Sequence, residues 1–163
     1  MDRILGTDID HLVTGSFAVA TNQLLDTIAF FKIFSSEEKR IILESESYFE
    51  SFEPGEQIIA EGGQDNNLYI IIKGTAVVTK SSHPDHVITT LVGGAVMGEL
   101  SFLTRRPRSS NVMAAEKVVC FSLNRETMAL LDSNMQHKIK DQLIEVLIGR
   151  LDAMNNVYLN LLH

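Results

Sequence analysis

The sequence predicts a mainly β domain, an antiparallel sandwich or barrel flanked by helices. Three observations carry this. Seven of the ten glycines fall between Gly55 and Gly98, with Pro54 and Pro84 in the same stretch. Between these turn residues lie short runs rich in β-branched and aromatic residues. The segments on either side have few breakers and show helical spacing. A chain of 163 residues suits one domain and can bury a core without a disulfide or metal staple.

Residues 1–29 read as a helical or partly disordered extension. The first 15 or so show no sustained period and are expected to be poorly ordered. From Phe17 to Phe34 apolar residues recur at helical spacing, at Leu24, Leu25, Ile28 and Phe31. Ser35 with Glu38 fits a capping box, so a new helix starts there and turns Ile41, Ile42 and Leu43 inward. From near Tyr48, "YFESFEPGEQIIAEGG" gives two strands broken at Pro54-Gly55. "NNLYIIIKGTAVVTK" gives a β-rich run that turns at Gly74, "SSHPDH" a loop, and "VITTLVGG" a strand ending on a glycine pair. "SSNVMAAEKVVCFSL" gives two more, with Val119, Phe121 and Leu123 on one face of the second. Asn124 caps a short helix, "RETMALLD". Ser133 with Gln136 reads as a second capping box, opening a helix from about Met135 to Leu162. The units are therefore 1–29, a barrel over 30–134 and a terminal helix over 135–163.

Composition narrows the function. A net charge of −7 argues against a broad nucleic-acid-binding surface. No apolar run approaches the ~20 residues of a membrane span. Asp2 and Asp8 do not fit a signal peptide. One cysteine, Cys120, gives no intrachain disulfide and no multi-cysteine metal site, so a cytoplasmic location is expected. Cys120 in a β-run reads as a buried small hydrophobe. His83 and His86 share a turn with Asp85, while His11, His137 and His163 are scattered. This is not the converging His-x-His set of a cupin-type metal enzyme, so no metal or catalytic residue is expected. No nucleophile-elbow or P-loop motif occurs.

One segment is different. Residues 98–110, "GELSFLTRRPRSS", set three arginines against one glutamate, a local charge of +2 in a chain of −7. Gly-Glu-Leu-Ser-Phe-Leu can form a short helix between strands, whose N-terminus exposes unpaired N–H groups suited to phosphate. An arginine beside it is the forked cation that matches phosphate oxygens. A carboxylate facing a phosphate would repel it, so Glu99 suits hydroxyls such as those of a ribose.

This segment resembles the phosphate-binding cassette of the cyclic-nucleotide-binding domain family: Gly-Glu-Leu, a spacer, then Pro-Arg and small residues. The likeness extends over about residues 30–150. It takes in "IFSSEEKRIILESESYFESFEPGEQIIAEGGQDNNLYIIIKGTAVV" before the cassette and "FSLNRETMALL" after it. The resemblance implies a jelly-roll barrel that binds cAMP or cGMP without chemistry on it. It implies that Arg108 pairs with the cyclic phosphate and Glu99 takes the ribose 2′-hydroxyl. It implies that Gly98, Leu100 and Ser101 bring backbone to ribose and phosphate, and that Ser109 offers an N–H or hydroxyl. Val96-Met97 and Asn111 depart from the family's pattern without removing an anchor. Arg105 and Arg106 read as solvated charges.

The terminal helix, about 28 residues and ~42 Å, exceeds what a small barrel needs. Leu147, Leu151, Met154, Tyr158 and Leu161 form a heptad seam, with Ile139, Leu143 and Val146 on a displaced stripe. One stripe can cover the barrel mouth and the other can meet a second copy, so a homodimer is expected. Arg150, Asn155 and Asn156 are candidates for a base edge. The family's transcription factors carry a DNA-binding domain after this helix, and the sequence ends at His163 without one. The expectation is a stand-alone sensor or a piece of a larger protein. It slightly favours cAMP, because no dedicated set of guanine partners is visible. The alternative is a degenerate fold that binds a protein and no ligand.

Overall fold

Strand β3 (Leu68–Lys73) shows how the sequence builds its layers. Its side chains alternate between two apolar clusters. Leu68, Ile70 and Ile72 face the helices, and Tyr69 and Ile71 face a second sheet. Strand β8 (Val118–Leu123) does the same, with Val118 and Cys120 between the sheets and Val119, Phe121 and Leu123 toward the helices. Both strands are buried on both faces, so they lack the polar alternation of a solvated sheet. The structure is a computed structural model that describes residues 23–45 and 48–162.

Strands β1 (Phe49–Phe52), β8, β3 and β6 (Val96–Met97) form one antiparallel sheet in that order. Strands β2 (Gln57–Ile59), β7 (Asn111–Ala114), β4 (Ala76–Thr79) and β5 (Thr89–Leu91) form the other. Phe52 and Tyr69 meet edge to face at 6.0 Å between ring centroids in the layer between them. Gly74 turns β3 into β4 at φ 97, and a Cβ there would collide with the Lys117 carbonyl. Strand β6 is only two residues long and was not among the expected strands. It lies directly before the cassette and carries it.

Helix α1 (Ser36–Leu43) has the expected capping box, with Glu38 N donating to Ser35 Oγ at 3.2 Å and Ser35 N to Glu38 Oε2 at 2.7 Å. Of the three residues expected inward, Ile42 is fully buried and Leu43 partly, whereas Ile41 is 39% exposed. The helix expected up to Phe34 is broken. Residues 23–27 are helical, Ile28 is extended, and a 3-10 helix follows over Ala29–Ile33. Phe30, Phe31 and Phe34 are all buried, and the 3-10 turn sets Phe31 and Phe34, three apart, on one face. Phe31 meets Phe121 edge to face at 5.3 Å. Residues 1–22, on which the expectation of an ordered or disordered extension mostly falls, lie outside the described residues.

Helix α2 (Glu99–Thr104) follows β6, and α3 (Arg125–Leu130) follows β8 with Asn124 as its cap, accepting from Thr127 N at 2.8 Å. Helix α4 (Ser133–Leu161) begins one residue earlier than a Ser133 cap requires. Asp132 is the cap, accepting from Met135 N at 2.8 Å, and Gln136 instead donates to the Leu131 carbonyl. An ionised carboxylate is the stronger acceptor at a helix N-terminus, so it wins over the adjacent hydroxyl. Met135, Ile139 and Leu143 are buried against the first sheet, and Val146 packs beside them. From Ile148 to Leu162 every residue is exposed, including Leu151, Met154, Tyr158 and Leu161 of the heptad seam. Glu38 ties the base of α4 to α1, accepting from Lys138 at 2.7 Å and Asn134 at 3.0 Å. Among the described residues no helix is long and apolar enough to cross a membrane.

Candidate functional site

The cassette lines one wall of a cavity of about 380 Å³. Gly98, Glu99, Ser101, Arg108, Ser109 and Ser110 form this wall, and Ile59, Val78, Leu91, Val96, Met97 and Val112 supply apolar surface from both sheets. Thr89 adds a hydroxyl from β5, and Arg150 reaches in from α4. Of the six residues expected at a ligand, five line this cavity. Leu100 does not; it is 41% exposed. Arg105 and Arg106 are exposed.

Arg108 is 3% exposed, rare for an arginine, and its partners explain it. Its Nε donates to Asp65 Oδ2 at 3.3 Å, and Nη2 donates to Asp65 Oδ1 and to the Asn67 carbonyl at 2.7 Å. Nη1 donates to the Gly98 carbonyl at 3.2 Å. Four of the five guanidinium N–H groups are thereby spent, which leaves one on Nη1 for a ligand anion. The backbone is fixed as well. Arg108 N donates to the Gly63 carbonyl at 2.9 Å, and Gly62 N to the Arg108 carbonyl at 2.8 Å. Gly98 sits at φ 80, where a Cβ would collide with the Arg108 guanidinium and lie 2.6 Å from the Asn67 oxygen. Glycine thus allows both the left-handed turn into α2 and the approach of the arginine. Asn67 also donates from Nδ2 to the Tyr69 hydroxyl at 3.3 Å, and burial pushes that hydroxyl's pKa up to about 12.

Glu99 opens α2 and is 6% exposed. Arg150 donates from Nη1 to Glu99 Oε1 and from Nη2 to the Val96 carbonyl. The wall therefore carries a buried cation and a buried carboxylate, each oriented by charge-assisted hydrogen bonds. It can accept a molecule with one anionic centre and a neighbouring hydroxyl.

Sequence reasoning missed Asp65, which lies 43 residues from Arg108, in a polar loop with no local pattern marking it. It named Arg150 only as a candidate for a base edge. Asn111, unusual against the family pattern, has a visible role. Its Oδ1 accepts from Glu61 N at 2.8 Å and Gln57 Nε2 at 3.1 Å, and its Nδ2 donates to Ser81 Oγ at 3.0 Å. It thus joins the loops that follow β2 and β4, while Lys80 donates to the Ser109 carbonyl. His83 and His86 are exposed in the loop between β4 and β5. Cys120 is fully buried, and burial pushes its thiol pKa far up.

A family model for the cyclic nucleotide-binding domain matches residues 49–133, more than half of the chain. The chain is 31% identical over 135 residues to a cGMP-dependent protein kinase of Eimeria tenella, covering 83% of this chain and 13% of the kinase. A cyclic nucleotide-binding domain from Methylobacillus flagellatus superposes with a TM-score of 0.71 at 22% identity, over 98% of this chain and 95% of that one. The regulatory subunit of a cAMP-independent protein kinase A from Trypanosoma brucei superposes with a TM-score of 0.62 at 28% identity, over 93% and 53%. The chain belongs to the cyclic nucleotide-binding domain family, and its two sheets are that family's jelly roll.

Proposed function

We propose that this domain is a non-catalytic sensor that binds a cyclic purine nucleotide reversibly and signals through its C-terminal helix. The observation that carries this is Arg108, buried in the cavity wall with one N–H unspent, beside the buried carboxylate of Glu99. In this reading Arg108 and the backbone at Gly98, Ser101 and Ser109 hold the cyclic phosphate and ribose, and Glu99 accepts the 2′-hydroxyl. The apolar strand residues take the purine. No residue acts on the ligand, and the site needs neither metal nor cofactor.

The slight preference for cAMP is kept, with discrimination below about 100-fold, because no dedicated set of guanine partners is visible among the residues that line the cavity. The likeness to a cGMP-dependent kinase pulls the other way, and titration with both nucleotides decides it. A homodimer through α4, whose seam residues Leu151, Met154, Tyr158 and Leu161 are exposed, is part of this reading. A cytoplasmic location is in keeping with the single buried thiol.

A second reading is a ligand-free interaction module. The Trypanosoma likeness favours it, since that regulatory subunit belongs to a cAMP-independent kinase. Calorimetric titration separates the two: saturable heat with either nucleotide supports the sensor, and none with both supports the module.

A further inference from the structure

We propose that Ser109 is a phosphorylation site: a protein kinase that selects arginine transfers the γ-phosphoryl group of ATP to its hydroxyl, and the phosphoserine keeps cyclic nucleotide out of the cavity. The second half rests on the function proposed above. Ser109 is the only serine or threonine of the sequence that stands three residues after an arginine, Arg106. A guanidinium at a fixed offset from a hydroxyl is a forked cation that an acidic kinase cleft binds through paired hydrogen bonds. Residues 105–109 belong to no helix or strand, and Arg105, Arg106, Pro107 and Ser109 are exposed. Pro107 biases Arg106 toward extended backbone, the form in which a kinase cleft takes a peptide. The Ser109 hydroxyl has no hydrogen-bond partner among the described residues, whereas the Thr104 hydroxyl in α2 is spent on the Leu100 carbonyl at 2.6 Å.

The transfer forms a bond between Ser109 Oγ and the γ-phosphorus, breaks the bond from that phosphorus to the bridging oxygen of ADP, and sends the hydroxyl proton to the kinase's base. The product carries a charge of about −1.5 to −2 at pH 7. It forms where cations already stand. Lys80 donates to the Ser109 carbonyl, and with Glu61 4.0 Å away its ammonium has further protons to give. Arg108 keeps one N–H on Nη1, and Arg108 and Ser109 both line the cavity. A phosphoserine among these groups gains charge-assisted hydrogen bonds and sets its negative charge against the cyclic phosphate of an incoming ligand. Modification and ligand therefore exclude each other, and a bound nucleotide covers the Ser109 hydroxyl.

The test incubates the whole chain with ATP and a purified serine kinase that selects arginine three residues before its target and is not itself regulated by cyclic nucleotides. Tandem mass spectrometry maps the phosphate. Wild type should take it up at Ser109, Ser109→Ala should take up none there, and Ser110→Ala should keep the modification. Arg106→Ala should lose most of it while binding cAMP as wild type does, because Arg106 lies outside the cavity. Saturating cAMP should slow the uptake. Calorimetric titration of the phosphorylated chain with cAMP and cGMP should show affinity lower by about tenfold or more than that of the unmodified chain, and phosphatase treatment should restore it. No phosphate at Ser109, phosphate at Ser110 in its place, or equal affinity before and after modification overturns the inference and leaves the cyclic-nucleotide reading standing. An unmodified chain that binds neither nucleotide overturns that reading and the consequence for binding, and the mapped phosphate still decides whether Ser109 is the acceptor.

Discussion

Gly98→Ala perturbs fold and site through one methyl group. The residue sits at φ 80, where an L side chain costs about 1–2 kcal/mol. The new Cβ would lie 2.6 Å from the Asn67 carbonyl oxygen and collide with the Arg108 guanidinium. The carbonyl is backbone and the guanidinium is boxed in by Asp65, so neither yields freely. Loss of the bond from Arg108 to the Gly98 carbonyl adds about 1 kcal/mol. The total is about 2–4 kcal/mol, and at about 2–4 °C per kcal/mol for a chain of this size the melting temperature falls by roughly 4–16 °C. Affinity for cyclic nucleotide should fall with it, toward that of Arg108→Ala, because the arginine is displaced. Thermal denaturation followed by circular dichroism reads the first effect, and titration of the folded variant at low temperature reads the second. A variant that melts within about 1 °C of wild type and binds equally well would refute the reasoning.

Three further predictions concern the frame around the site. Glu38→Ala removes a helix cap and the tie to Lys138 and Asn134, and should cost about 1–2 kcal/mol in denaturant unfolding. The Lys138 ammonium, donating to Glu38, holds its carboxyl below the usual carboxylate range, against the opposing effect of burial. That contribution is fully present above the ordinary carboxylate pKa and is lost as the pH falls through the lowered folded value. The difference between wild type and Glu38→Ala should therefore shrink in acid. Gly149→Ala fills open space in mid-helix and should raise stability by about 0.5–1 kcal/mol, read as a higher denaturation midpoint. Cys120 is sealed and its thiol is held protonated, so a thiol reagent at pH 8 should label it only when the chain unfolds.

The legible parts of the fold were those fixed by local chemistry. The boxes at Ser35–Glu38 and Asn124 involve residues three apart, and the turns at Pro54-Gly55 and Gly74 follow from backbone conformation. The face shared by Val119, Phe121 and Leu123 follows from strand alternation. The illegible parts were set by competition or distance. Asp132 displaces Ser133 as a cap, and the chain is extended at Ile28 and resumes as a 3-10 helix where spacing alone would continue an α-helix. Strand β6 has two residues, too few for any period. In the site, Gly98, Glu99 and Arg108 stood out as one short segment with its own charge. Asp65 and Arg150 complete it from 43 and 51 residues away, contacts that only the folded chain brings together.

The central claim is that the Arg108 guanidinium receives a cyclic phosphate. Calorimetric titration of wild type and Arg108→Ala with cAMP and cGMP tests it most directly. The account predicts saturable binding by wild type and a loss of about 2–5 kcal/mol in the variant, tens- to thousands-fold in affinity. Equal affinity of the two proteins, or no binding of either nucleotide by wild type, would contradict it.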